Sequence, residues 1–253
     1  MCYSKAYFKH DITIPDREWF VGNNALYSDK KNKRLPLVFI APIYVPFENQ
    51  LVQLDEKTRF QKNKYCAKFL FPINWREGGG GFAGGSMEKN DKNPEFAIQR
   101  ELKEELGIEL NIQKEDAVMS SIDNKGTVSI IYCKITHDIE EFDNWASKWI
   151  YASGINEDCE IEGVRRFSID YEYYPNKKEG IIQGLPKKLW KEGGCLDKYW
   201  DNVAREQLLL LLLRLEIVSP VEMREIGECA KYFDENANID YIFNILNNIN
   251  YIK

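Results

Sequence analysis

The sequence has only two histidines, His10 and His137, and none of its six cysteines (Cys2, Cys66, Cys133, Cys159, Cys195 and Cys229) forms a C-x-x-C pair. A histidine-rich zinc site is therefore not expected. The N-terminus, Met1 to Lys5, leads into charged residues without an apolar signal core. Reduced thiols and a cytoplasmic location are the matching expectation. Long apolar runs are also missing. The longest leucine run, Leu208 to Leu213, is ended by Arg214, whereas a membrane span needs about 20 apolar residues. An excess of positive charge is lacking too. With 34 basic and 40 acidic residues the net charge is -6, which argues against sequence-blind binding to long nucleic acid. A small anionic ligand is not excluded, because a bound divalent cation can reverse the local sign.

What is present suits a packed globular chain. The 253 residues are 44% hydrophobic and 29% charged, ordinary values for a domain with a core. Apolar and β-branched runs predict strands at Trp19–Tyr27, Pro36–Val45, Ala67–Trp75, Thr127–Thr136 and Glu160–Ile169. The polar stretch Glu48–Lys64 reads as an excursion from the sheet. Asn93-Pro94-Glu95 opens a helix, with Asn as cap, Pro in the first turn and an acid at the positive end. That helix is expected to reach Leu106 and stop at Gly107. Further helices are expected at Ile139–Tyr151, Lys198–Ile217, from the capping box Ser219-Pro220-Val221-Glu222 onward, and at Ile239–Ile249. The mixed order predicts an α/β or α+β domain over residues 1–217, with an inserted loop near 48–64. A C-terminal helical extension over residues 218–253 packs on it. Glycines cluster at Gly78–Gly81, Gly84 and Gly85, between a strand and a helix, where a tight backbone path or a ligand contact is expected.

The chemistry-bearing segment follows those glycines. Glu101, Glu104 and Glu105 lie on or beside one face of the expected helix, and like charges at that spacing repel. A divalent cation would remove the repulsion, and carboxylate oxygens are the hard ligands that Mg2+ and Mn2+ prefer. Ile98, Leu102 and Leu106 form an adjacent apolar stripe that can anchor the helix. The bland alternative is a solvated acidic helix with Arg100 and Lys103 as partners.

The full string tips that balance. Arg100-Glu101-Leu102-Lys103-Glu104-Glu105-Leu106-Gly107-Ile108 resembles the second half of the Nudix box, G-x5-E-x7-R-E-U-x-E-E-x-G-U with U aliphatic, at every fixed position. The stretch between Gly85 and Arg100 is one residue longer than the box, so the upstream glutamate position falls on Lys92. Glu88, Asp91 and Glu95 are the candidates to support the loop in its place. The longer box, Phe82-Ala83-Gly84-Gly85 before it and Ala204-Arg205-Glu206-Gln207-Leu208-Leu209 downstream resemble the snoRNA-decapping and inosine-diphosphatase group of Nudix hydrolases. The likeness runs from about Trp19 to Ile217.

The resemblance implies a Nudix fold, a mixed sheet sandwiched between helices. It also implies Mg2+- or Mn2+-dependent cleavage of a phosphoanhydride bond in a purine nucleotide (an inosine or guanosine di- or triphosphate, or a cap-like dinucleotide), releasing a monophosphate. A capped RNA 5′ end is the larger partner this brings with it. By position, Glu101, Glu104 and Glu105 would be metal ligands or activate water, Gly84 would offer its carbonyl to the metal, and Arg100 would orient the box by pairing with a glutamate. Phe82 would border the base and Gln207 would face the nucleotide, against the plainer roles of core packing and an exposed helix position. Asn23 or Asn24 would stand where the group reads its base, and Asn24 is taken as the candidate. Alternatives are hydrolysis of ADP-ribose or another nucleoside diphosphate derivative, and a silent nucleotide-sensing module. The C-terminal helices are read as a partner contact, with a homodimer as the candidate assembly.

Overall fold

A computed structural model of the chain describes residues 12–14, 17–29, 34–45, 67–74, 79–153, 161–169, 189–190, 196, 202–215, 217–218, 220–235, 237 and 240–248. The insertion expected near 48–64, Ser219 of the expected capping box and the last turn expected at Ile249 lie outside the described residues.

The elements are β1 (Ile12–Ile14), β2 (Arg17–Val21), a 3-10 turn (Asn24–Tyr27), β3 (Leu37–Tyr44), β4 (Ala67–Asn74), β5 (Gly79–Gly80) and β6 (Ala83–Ser86). They continue with α1 (Pro94–Leu106), β7 (Ala117–Asp123), β8 (Val128–Thr136), α2 (Ile139–Ser153), β9 (Ile161–Ile169), α3 (Asn202–Arg214), α4 (Pro220–Ala230) and α5 (Asp240–Asn248). The strands form one mixed sheet in the order β1-β2-β7-β8-β3-β4-β5, with β6 also on β3 and β9 on β4. Only β3 and β8 among these pairs run parallel, from Leu37 opposite Ser129 to Tyr44 opposite Thr136.

β3 is the hinge of the sheet. Its far edge is shared: Leu37–Ile40 pair with β6, and Ile43–Tyr44 pair with β4. Ala41 and Pro42 sit in the gap. The Val45 N–H donates to Thr136 O, and alternate residues point their N–H groups to the same edge, so the Pro42 nitrogen faces away from β8 into that gap. A proline, which has no N–H, fits where no ladder bond is needed.

Alternating side chains of β3 and β8 feed two cores. Val38, Ile40, Ile130 and Tyr132 join Ile98, Leu102, Leu106, Phe142 and Trp149 of α1 and α2. On the other face Ala41, Ile43, Ile131 and Cys133 join Trp19 and the helices α3, α4 and α5. The result is a sheet between two helical layers. α1 forms despite its crowded acids because the balance is uneven. Burying Ile98, Leu102 and Leu106 contributes about 1.5–3 kcal/mol each, while each like-charge pair costs about 0.2–0.5 kcal/mol. Asn93 caps it, accepting from Phe96 N at 2.8 Å, Pro94 opens it, and Gly107 closes it in the left-handed conformation.

Two sequence expectations change. The strand expected over Trp19–Tyr27 stops at Val21; the chain turns at Gly22 and continues as the 3-10 turn. β7 was hidden because two serines sit at its centre. Ser120 and Ser121 are both fully buried, and Ser120 Oγ accepts the Ala25 N–H at 3.0 Å, so the hydroxyl serves the turn instead of marking a loop.

Candidate active site

The glycine strand and the acidic helix meet face to face. β6 pairs with β3 so closely that a Cβ on Gly84, whose φ is 140°, would stand 1.9 Å from Val38 O. No side chain fits there. A Cβ on Gly85 would stand 2.5 Å from Glu101 Oε2. The absence of that Cβ is what lets the Glu101 carboxylate lie against the backbone of β6. Glu101 is partly buried, and its carboxyl is pushed above the usual range, first by burial, with the Glu104 and Asp91 charges adding and Arg100 opposing.

Arg100 ties the acids together. Its guanidinium donates to Glu101 Oε1 at 2.9 Å, Glu104 Oε2 at 2.7 Å and Ser86 O at 3.0 Å. It also makes a forked pair with Asp91, through Nε to Oδ1 at 3.3 Å and Nη2 to Oδ2 at 3.2 Å. This settles which acid supports the long loop. Asp91 is buried and additionally accepts the Glu88 N–H at 2.8 Å. Burial works against its charge, but the Arg100 hydrogen bond, the Glu88 N–H and the Arg100 charge outweigh it and hold the carboxyl below the ordinary aspartate value. Arg100 in turn is held firmly protonated, above all by Asp91. Glu88 is exposed at 3.9 Å from Arg100, and Glu95 is engaged elsewhere, accepting from the buried Tyr132 hydroxyl at 2.8 Å.

Among the described residues no three acidic, histidine or cysteine side chains form a ready-made metal cage. Arg100 draws one oxygen from each of Glu101 and Glu104. The donor chemistry nevertheless fits a hard cation. Mg2+ is usually bound through one or two carboxylates with retained waters and substrate phosphates, not by an all-protein cage.

The three residues assigned to substrate are placed differently. Phe82 is buried in the core on the α3 face, and Gln207, on α3, is buried as well. The glycine run and α3 are neighbours, since a Cβ on Gly81 would lie 4.0 Å from Ala204 Cβ. Asn24 is exposed on a turn whose Ala25 and Leu26 pack into the opposite, α1 and α2, core.

The family model described as Nudt16-like, U8 snoRNA-decapping enzyme-like, matches residues 51–218. The chain belongs to this family. It is a Nudix hydrolase of the snoRNA-decapping and inosine-diphosphatase group, with the α/β Nudix fold, and its family acts on nucleotide derivatives. No match was found among curated proteins. No helix among the described residues is long and apolar enough to cross a membrane.

Within this Nudix domain, the string Ala204–Leu209 carries more than sequence spacing revealed. Glu206 Oε1 accepts the Trp19 indole N–H at 3.1 Å, tying α3 to β2 across 187 residues of chain. Arg17 stacks over the same indole at 5.6 Å. The only signal available in the sequence was the string itself; the partners are too remote to read.

Proposed function

We propose that this Nudix hydrolase uses Mg2+ or Mn2+ to cleave a phosphoanhydride bond of a purine nucleotide, an inosine or guanosine di- or triphosphate or a cap-like dinucleotide, releasing a monophosphate. The observation that carries the reading is the Glu101 carboxylate lodged over Gly85, with Glu104 beside it on Arg100. Glu101, Glu104, Glu105 and the Gly84 carbonyl would hold the cation. When bound, such a cation acidifies water and neutralises charge on the phosphate oxygens.

The protein's own groups do the rest. Asp91 fixes Arg100, and Arg100 holds the Glu101 and Glu104 carboxylates of α1 beside β6, so the ligands are oriented before any cation arrives. Glu104 would alternatively serve as the base that takes the proton of the attacking water, leaving Glu101 and Glu105 as the ligands. Arg100, with its bonds directed to Asp91, Glu101, Glu104 and Ser86 O, is an orienting group and not a substrate contact. Phe82 and Gln207, on the glycine run and α3, are the assigned substrate residues. Asn24 is the weaker assignment, because its turn packs into the other core.

A nucleotide panel with Mg2+ or Mn2+, read by product identity, tests the proposal. Inosine and guanosine di- and triphosphates and cap-like dinucleotides are expected to yield a monophosphate. Preference for ADP-ribose over every purine nucleotide would overturn the substrate class while leaving the family standing. Absence of hydrolysis alongside tight nucleotide binding would make the chain a silent sensor.

A further inference from the structure

Three consecutive residues of α3 have three separate anchors. Ala204 faces Gly81, Glu206 accepts from Trp19 of β2, and between them Arg205 reaches the C-terminal extension. Successive side chains on a helix point about 100° apart, so anchors on three neighbours fix the helix's rotation as well as its position. Gln207 is the next residue.

The middle anchor is a charge pair inside the protein. Arg205 Nη1 lies 2.9 Å from Asp234 Oδ2, with the side chains only 4% and 11% exposed. The guanidinium is 5.7 Å from the centroid of the Trp190 ring. That indole donates its N–H to Ile226 O of α4 at 2.9 Å. Arg205, Trp190, α4 and the turn carrying Asp234 thus form one sealed unit. Asp234 lies beyond residues 51–218, the part matched by the family model. Leucine and isoleucine contacts would suffice to hold the extension on the domain. A buried ion pair adds little net adhesion, because both ions lose their water, but it tolerates only one geometry.

We propose that Asp234 is a positioning residue: through Arg205 it sets the placement of α3 against the Gly81–Phe82 segment, and so of Gln207 and Phe82 toward the nucleotide. This rests on the purine-nucleotide reading above. It makes the extension part of the substrate-binding architecture and not a cover alone.

The full chain carrying Asp234→Asn is compared with wild type by amide hydrogen exchange and by kinetics on inosine diphosphate with Mg2+. Exchange is expected to rise in residues 81–86 and in the first turns of α3, with α1 unchanged. KM is expected to rise about fivefold, a size usual for coupling at a distance, with kcat held within about twofold. Asp234→Glu, which keeps the charge on a longer arm, should recover most of the KM change. Faster exchange confined to residues 220–248 would overturn the inference, as would an unchanged KM in a variant whose α3 has loosened. If Asp234→Asn does not fold, the pair is loosened from its other end with Arg205→Lys: a smaller change of the same pattern supports the role, and wild-type exchange in α3 and 81–86 overturns it. If wild type hydrolyses no purine nucleotide, the functional reading fails on its own, and the exchange pattern still decides whether Asp234 positions α3.

Discussion

Glu101 and Gly85 act as one feature. The acid approaches the strand only because the glycine has no side chain, so each can be tested through the other. Glu101→Gln and Glu105→Gln are expected to cut turnover by about a hundredfold or more at saturating Mg2+, a loss at or beyond that seen when even a ligand's supporting partner is removed. Circular dichroism should show the fold kept; near wild-type turnover in either variant would remove these residues from the site. Gly85→Ala would put a Cβ 2.5 Å from Glu101 Oε2. The carboxylate is the movable end of a side chain, so it should yield while the strand stays. Mn2+ affinity and turnover are then expected to fall about ten- to hundredfold with little loss of stability, and isothermal titration with Mn2+ measures the first of these directly.

At the scale of elements, the loop before α1 and the seam between β2 and α3 each hang on one acid. Asp91 braces the long loop through a fork to Arg100. Asp91→Asn removes a charge-assisted bond, worth about 1.5–3 kcal/mol, although Arg100 keeps Glu101, Glu104 and Ser86 O. At about 2–4 °C per kcal/mol for a chain of this size, calorimetry should record a Tm lower by several degrees, with activity reduced in parallel. An unchanged Tm would mean that the loop is braced elsewhere. Glu206 gives a test of opposite sign. Burial pushes its carboxyl above the ordinary glutamate value, outweighing the Arg17 charge and the Trp19 N–H. A group with a raised folded pKa has its stabilising contribution fully present below the unfolded value and loses it as pH rises through the folded one. Glu206→Gln keeps an acceptor for Trp19 and cannot ionise. Its Tm relative to wild type is therefore expected to improve as pH rises above the ordinary glutamate pKa of about 4.3; a relative Tm that falls with pH would show that the Arg17 charge dominates.

For the whole molecule, the leucines of α3 decide what the C-terminal helices are. Leu208 to Leu213 are all buried, which the sheet alone cannot achieve for a helix apolar on every side. Met223, Ile226, Ala230, Ala237, Ile242 and Leu246 share their core, and α5 also lies along β1. Uncovering three of the six leucines would remove about 5–9 kcal/mol, comparable to the whole stability of an ordinary domain at about 5–15 kcal/mol. A chain ending at Val218 is expected to be insoluble or to bind a hydrophobic dye without a cooperative melt. A soluble, cooperatively folding truncation would show that the extension is dispensable.

The sequence alone determined the family and the acidic helix. Their signals are local: an uninterrupted string from Arg100 to Ile108, an Asn-Pro start, a glycine stop and an apolar stripe at helical spacing all lie within one or two turns of each other. β3 and β8 were legible as strands for the same reason, since apolar and β-branched runs involve only neighbours. Tertiary structure decided what depends on distant partners. The choice of Asp91 over Glu88 and Glu95 required knowing that Glu95 bonds to Tyr132, 37 residues away. β7 was concealed because two serines sit at its centre, and the Ser120 hydroxyl serves a turn 95 residues earlier. Gln207 is buried, not exposed, because a leucine helix is roofed by segments that follow it, and Asn24 is exposed on a turn whose neighbours pack into the α1 and α2 core, whereas Phe82 is buried in the other. Periodicity fixes which face of an element is apolar; which element covers that face is set only when the sheet order is.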